Sequence, residues 1–244
     1  MEFQFLHFYP DLMNLYGSYA NVSVLRRYLE RLGHTVTVTA VPPGGEAEIA
    51  GADFLYMGAG TERAQKAALA DFARFGPAVK AAAEDGAAML FAGTAMELLG
   101  KSITASDGTV YAGIGLADFA TVQGKQRLVE DVYGTTDLYP EPVVGFMNKC
   151  GVITGIQTPL LTGVSLGYGN QGEGTPEGFH WRNVLASELT GPILVKNPRL
   201  LEVAAAAVLS RRGETLPEER PVDPYAETGY DITAEQLRLR IQKK

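Results

Sequence analysis

The chain is predicted to fold as an α/β protein, a parallel sheet with covering helices, and two observations carry that expectation. One is the succession of strand, helix, strand and strand across residues 3–57. The other is the stretch 85–100, DGAAMLFAGTAMELLG. Its run of Ala87 to Phe91 suits a buried strand, Ala92-Gly93-Thr94-Ala95 reads as a tight turn, and a short helix follows to Gly100. Strand, sharp turn and helix make the geometry of a nucleophile elbow, which lifts one side chain above the edge of a sheet. The apex residue here is Gly93, so there is no side chain to lift.

Taken in order, residues 3–8 form an apolar strand broken by Tyr9-Pro10-Asp11. Val22, Leu25, Leu29 and Leu32 recur at steps of three and four, which predicts an amphipathic helix over 20–32 stopped by Gly33. HTVTVTAV at 34–41 alternates like a strand, and residues 53–57 are another short apolar strand. Gly58-Ala59-Gly60-Thr61 then opens a helix whose first turn holds Glu62; such a loop either offers backbone N–H groups to an anion or is a plain tight turn. The alanine-rich segment 63–84 is helical and interrupted at Gly76-Pro77.

Beyond Gly100 the texture changes to glycine-punctuated strands, predicted at 113–122, 142–146, 163–168 and 182–187, with Asp107-Gly108 as a hairpin signal. Asn197-Pro198 starts a helix through Arg211, ended by Gly213. Residues 214–231, rich in proline and acid, are expected to lie over the surface, and Thr233 with Gln236 forms a capping box for a last short helix. The expected organisation is one domain over 1–213 and a C-terminal extension over 214–244.

Composition narrows the function. A hydrophobic content of 46% in 244 residues is ample for a core, while a net charge of −7 with no basic stripe argues against a nucleic-acid surface. One cysteine, Cys150, excludes an intramolecular disulfide and a CxxC metal site, and three scattered histidines give no zinc cluster. No metal and no cofactor are expected. Neither a signal peptide nor a long apolar run is present, so a cytoplasmic chain without membrane insertion is expected, with a small molecule or a protein as partner.

Several ordered motifs then carry a resemblance over nearly the whole chain. They are YPDLMNLYGSYANVSVLRRYLERLG at 9–33, ADFLYMGAGTERAQ at 52–65, GFMNKCG at 145–151, GYGNQGEG with EGFHWRNV in 167–184, and TGPILVKNP at 190–198. Together these resemble class I glutamine amidotransferases of the cobyric acid synthase type, with the glutaminase subunits of two-part synthetases that amidate a peptidoglycan precursor as the nearest pattern. The resemblance implies a three-layer α/β sandwich, and as partner a Mur-ligase-like synthetase subunit. In that family the elbow carries a cysteine and a histidine precedes Gly-Pro. Such chemistry needs a thiolate to attack the glutamine amide, an imidazole to move the proton and elbow N–H groups to hold the oxyanion. Here Gly93 falls at the cysteine position and Thr190, before Gly191-Pro192, at the histidine position. Neighbouring departures include Thr94-Ala95 for Gly-Gly, Glu97 for glutamine and Ser18-Tyr19 for Asp-Arg.

No catalytic residue is therefore expected, and the candidate substrate contacts are Gly60, Thr94, Glu97, Arg127 and Asn148. Arg127 stands where the family keeps an arginine near the glutamine entrance, or is an exposed loop arginine. Three readings stay open: a binding or structural subunit without glutaminase activity, an enzyme that reuses the pocket through Thr94 or Glu97, and an amidotransferase with Cys150 as a displaced nucleophile. Glu97 and Glu188 are either an acid and base flanking the cleft or solvated charges, and His180 is expected to be structural.

Overall fold

The computed structural model describes residues 1–243. The chain opens with β1 (Glu2–Phe8), α1 (Ala20–Arg31), β2 (Thr35–Val41) and β3 (Phe54–Met57). Next come α2 (Glu62–Phe72), α3 (Gly76–Glu84) and β4 (Ala88–Ala92), which runs into a 3₁₀ helix at Gly93–Leu99. The strands β5 (Ser102–Thr104), β6 (Val110–Ala112), β7 (Ala120–Thr135), β8 (Val143–Thr154), β9 (Gly163–Leu166), β10 (Phe179–Trp181) and β11 (Val184–Ser187) follow. The chain closes with α4 (Ile193–Lys196), α5 (Pro198–Ser210) and α6 (Pro224–Gln242).

The central sheet has the order β10-β11-β4-β3-β1-β2, and every pairing is parallel except that of β10 with β11. Its side chains alternate between two cores, as the two-residue period of a strand requires. Phe8, Leu55, Met89 and Phe91 face α2 and α3 through Leu69, Phe72 and Val79. Phe3, Phe5, Tyr56 and Leu90 face α1 and α5 through Val22, Leu25, Leu29 and Val208. Helices on both faces explain why the strands read as continuous apolar runs. The predicted layered α/β sandwich is the observed one.

The second half builds a sheet that the sequence only outlined. Its order is β6-β5-β7-β8, with β9 also on β7, and it is antiparallel apart from β5 with β7. The strand expected at 113–122 begins only at Ala120. Residues 113–117 instead cap the 3₁₀ helix: the N–H groups of Ile114, Ala117 and Gly115 donate to the carbonyls of Leu98, Leu99 and Gly100. Those carbonyls have no partner within the helix, so the segment's hydrogen bonds go there rather than to a ladder. Gly113 permits the approach, since a β-carbon on it would lie 2.1 Å from the carbonyl oxygen of Gly100.

The C-terminal helix also differs from expectation. It is 19 residues long and is capped by Asp223, whose side chain accepts from the N–H groups of Tyr225 and Ala226, with Pro224 in the first turn. Thr233 lies inside it and donates to the carbonyl of Gly229, so no capping box forms there. Tertiary contacts decide its length. Leu237 packs on Val144 and Leu166, Tyr230 donates to the carbonyl of Pro142, and Arg240 pairs with Glu130 and Asp131.

Candidate functional site

β1, β3, β4 and β11 all end at one edge of the central sheet, and the loops that follow them converge there, the usual place for a site in an open α/β sheet. Gly93 follows β4 at φ +61°, a left-handed conformation that costs a side-chain residue and costs glycine nothing. A β-carbon on Gly93 would lie 2.6 Å from Cβ of Ala59 and 3.7 Å from Cγ2 of Thr190. The structure therefore brings Gly93 and Thr190 together, and the methyl of Ala59 occupies the space where an elbow side chain would begin. Thr190 is buried, and its hydroxyl donates to the carbonyl of Phe146 at 3.2 Å.

The glycine loop is closed on itself. Thr94 Oγ1 accepts the N–H of Gly60 at 3.0 Å and donates to the Gly60 carbonyl at 3.0 Å. Both the Gly60 N–H and the Thr94 hydroxyl proton are thus committed to this loop, and among the described residues the proton has no base beside it. Ser18, which stands where the family's pattern has aspartate, is buried within 2.5 Å of the Tyr56 hydroxyl, and its Oγ accepts the N–H of Ala59 at 3.4 Å.

Behind the elbow lies a polar cluster that sequence reasoning largely missed. Glu97 is 1% exposed, and its Oε2 accepts from Gln65 at 2.9 Å and Gln123 at 2.7 Å. Lys149 and Glu188, both buried, form an ion pair, and Lys149 also donates to the carbonyl of Gly169. Glu177 accepts from the Glu188 N–H at 2.7 Å and the Ser187 hydroxyl at 2.8 Å. Burial, followed by the charge of Glu188, pushes Glu97 up to about 7. Burial likewise raises Glu188 to about 7 against the opposing pull of Lys149, and it raises Glu177. Glu97 and Glu188 are thus buried groups that hold protons near neutrality, not solvated rim charges. A signal for Lys149 was present: residues 145, 147, 149, 151 and 153 are the inward register of β8, and a lysine on a buried register needs a partner.

At the mouth, Arg127 donates to Asn148 Oδ1 at 2.6 Å and Glu62 Oε1 at 2.9 Å, and Asn148 donates to the Tyr16 hydroxyl at 2.7 Å. Tyr16 is 51% exposed, has φ +60° and leans on Phe146. Of the five candidate contacts, then, Arg127 and Asn148 meet at the rim, Gly60 and Thr94 meet in the loop, and Glu97 lies beneath both. His180 bonds the carbonyl of Arg182 in a β10–β11 turn, and burial holds His7 at about 4, neutral at physiological pH.

Cys150 lies on β8 beside Glu62, to whose Oε1 the thiol donates at 3.4 Å. Burial and then the Glu62 charge push that thiol up to about 12. A thiolate is the nucleophile in cysteine chemistry, so Cys150 is expected to react with iodoacetamide at pH 7.5 at least ~100-fold more slowly than a free cysteine peptide. Alkylation at the rate of the peptide would restore it as a candidate nucleophile.

A parallel sheet with a turn of positive φ after β4, and a second residue closing on that turn from the loop after β11, define an elbow-bearing α/β sandwich. The chain belongs to the CobB/CobQ-like glutamine amidotransferase domain family, whose profile matches residues 4–198. It is 31% identical over 246 aligned residues to the GatD subunit of lipid II isoglutaminyl synthase (glutamine-hydrolyzing) from Staphylococcus aureus (strain N315), covering 100% of this chain and 98% of that one. The corresponding subunit from Streptococcus pneumoniae (strain ATCC BAA-255 / R6) is 29% identical over 214 residues, covering 84% of this chain and 80% of its own. Among solved structures, the Trypanosoma brucei CTPS glutaminase domain with bound acivicin is 10% identical with a TM-score of 0.48, over 91% of this chain and 98% of that one. No helix among the described residues is long and apolar enough to cross a membrane.

Proposed function

We propose that this chain is a GatD-like subunit of an assembly that amidates lipid II, that it has lost glutamine hydrolysis, and that it serves as a binding or structural partner of a Mur-ligase-like synthetase in the cytoplasm. The subunit assignment draws on the full-length similarity to the two GatD chains. The loss of hydrolysis draws on one observation above all: the apex is Gly93, and the methyl of Ala59 fills the space where a nucleophile would project. Acyl transfer from glutamine needs a nucleophile, a base within reach and oxyanion donors. In this chain the hydroxyls of Thr94 and Thr190 are both spent on backbone carbonyls, and the only thiol is raised to about 12.

A reused pocket built on Thr94 has little support, because the hydroxyl already donates its one proton to the Gly60 carbonyl and accepts the Gly60 N–H. The test is a glutaminase assay with ammonia detection, run on the purified chain and on the chain co-expressed with its synthetase candidate. The expected result is ammonia no higher than a heat-killed control in both cases, together with co-elution of the two chains. Turnover above that control overturns the loss of hydrolysis, and separate elution of a monomeric chain overturns the partnership.

A further inference from the structure

A second feature of the molecule stands beside the elbow and is not part of it. A cavity of about 460 Å³ opens between the first turns of α2, the β5–β6 hairpin and the irregular stretch of β7, and Gly93 is not in its wall. Four cationic side chains line it, Arg63, Lys66, Lys125 and Arg127, against two carboxylates, Glu62 and Asp107. In a chain of net charge −7 this is a local excess of positive charge, and such an excess at a cleft favours anionic ligands.

The disposition of those charges matters more than their number. Arg127 is committed, to Glu62 and Asn148. Among the described residues, Arg63 and Lys125 make no hydrogen bond or ion pair, and both are exposed. The Lys66 ammonium is half-buried and held by two neutral acceptors, Gln65 Oε1 at 2.6 Å and Gln123 Oε1 at 2.7 Å. Those amides are buried, Gln65 at 0% and Gln123 at 4% exposed, and are themselves locked to Glu97 and to each other. The result is a point charge fixed in direction by a rigid polar floor; Glu97, Glu62 and Asp107 act on it through space, and among the described residues none of them forms a direct ion pair with it. Lysine suits phosphoryl oxygens as such a point charge, and two further unpaired cations stand at the same opening.

We propose that this cavity is a binding site for a small ligand bearing a phosphoryl group with two or more negative charges, with Lys66, Arg63 and Lys125 as its contacts. The inference does not depend on whether the elbow hydrolyses glutamine, because it concerns equilibrium binding to a different set of residues. Inorganic pyrophosphate is the probe. Titration calorimetry on the full chain at 0.1 M salt is expected to give saturable 1:1 binding that weakens as salt is raised. Lys66→Met and Lys125→Ala should each weaken it about tenfold, the range for a hydrogen bond to a charged group. Arg63 and Lys125 are exposed and unpartnered, so their replacement by alanine leaves the fold intact and keeps the test valid if Lys66→Met fails to fold. Malonate and L-glutamine form the comparison arms. Absence of saturable heat, affinity unchanged in Lys125→Ala and Arg63→Ala, or malonate or L-glutamine binding as tightly as pyrophosphate would each overturn the assignment.

Discussion

Lys149→Met is expected to lower the unfolding free energy by about 3–5 kcal/mol at pH 8, the loss typical of breaking a buried ion pair from one side. Lys149 and Glu188 are each 2% exposed as side chains, and among the described residues Lys149 makes the only ion pair to a group of three buried carboxyls, Glu97, Glu177 and Glu188. Methionine fills the volume of the lysine stem but leaves Glu188 without a charge partner. The loss has a pH signature. Glu97 and Glu188 are raised from 4.5 to about 7 in the folded chain, so between those values the folded state holds more protons than the unfolded state. Stability from these two groups is fully present below pH 4.5 and declines as pH rises through 7. Near pH 5 Glu188 is protonated and no longer depends on the lysine, so the Lys149→Met deficit should shrink there.

Glu97→Gln is the complementary arm of the same experiment. It removes one of the carboxyls that must ionise in the core while keeping an oxygen for Gln65 and Gln123. It should stabilise the chain by about 2 kcal/mol at pH 8 and have little effect at pH 5, since one pKa unit corresponds to ~1.4 kcal/mol. Urea titrations followed by circular dichroism at both pH values read all three proteins. A wild-type stability that stays level from pH 5 to 8, with Lys149→Met as stable as the parent, would show that the cluster is not the coupled proton-holding group described here.

Rebuilding the elbow is the second large effect. Gly93→Cys with Thr190→His should destabilise the chain by about 2–5 kcal/mol and restore no glutaminase activity. Two causes add: a left-handed φ costs a non-glycine residue about 1–2 kcal/mol, and overpacking against a fixed neighbour costs about 1–3 kcal/mol. The neighbour is Ala59, 2.6 Å from the new β-carbon, on a loop that Thr94 and Ser18 hold in place. Adding Ala59→Gly removes the collision and should recover more than half of the stability. Thermal melts of the double and triple variants decide the matter; a double variant that melts with the parent would mean that the Ala59 loop yields freely and that the space above Gly93 is not filled.

Much of this architecture was legible from residue order. Periods of two and of three to four, with glycine and proline as punctuation, located β1, α1, β2, β3, β4 and α5 to within a few residues, because those signals are local. The glycine at the apex was equally plain, since it follows from a strand and a turn read over sixteen consecutive positions. Where local signals competed, the reading failed. Residues 113–117 look like strand but serve as caps for the 3₁₀ helix, and Thr233-Gln236 looks like a cap but lies in mid-helix, because what decides both is packing between elements and not the local pattern.

The sequence by itself determined the class of fold, the identity of the family and the absence of a side chain at the elbow. Only the tertiary structure decided that Ala59 fills the space over Gly93 and that Glu97 and Glu188 share one buried cluster with Lys149. It also decided that Lys66 is held by two buried amides at the wall of a cationic cavity. The physical reason is that volume, desolvation and charge pairing are set by neighbours brought together across 26 to 91 positions of chain, from Gln123 beside Glu97 to Glu188 beside Glu97. No periodicity records which residues those will be.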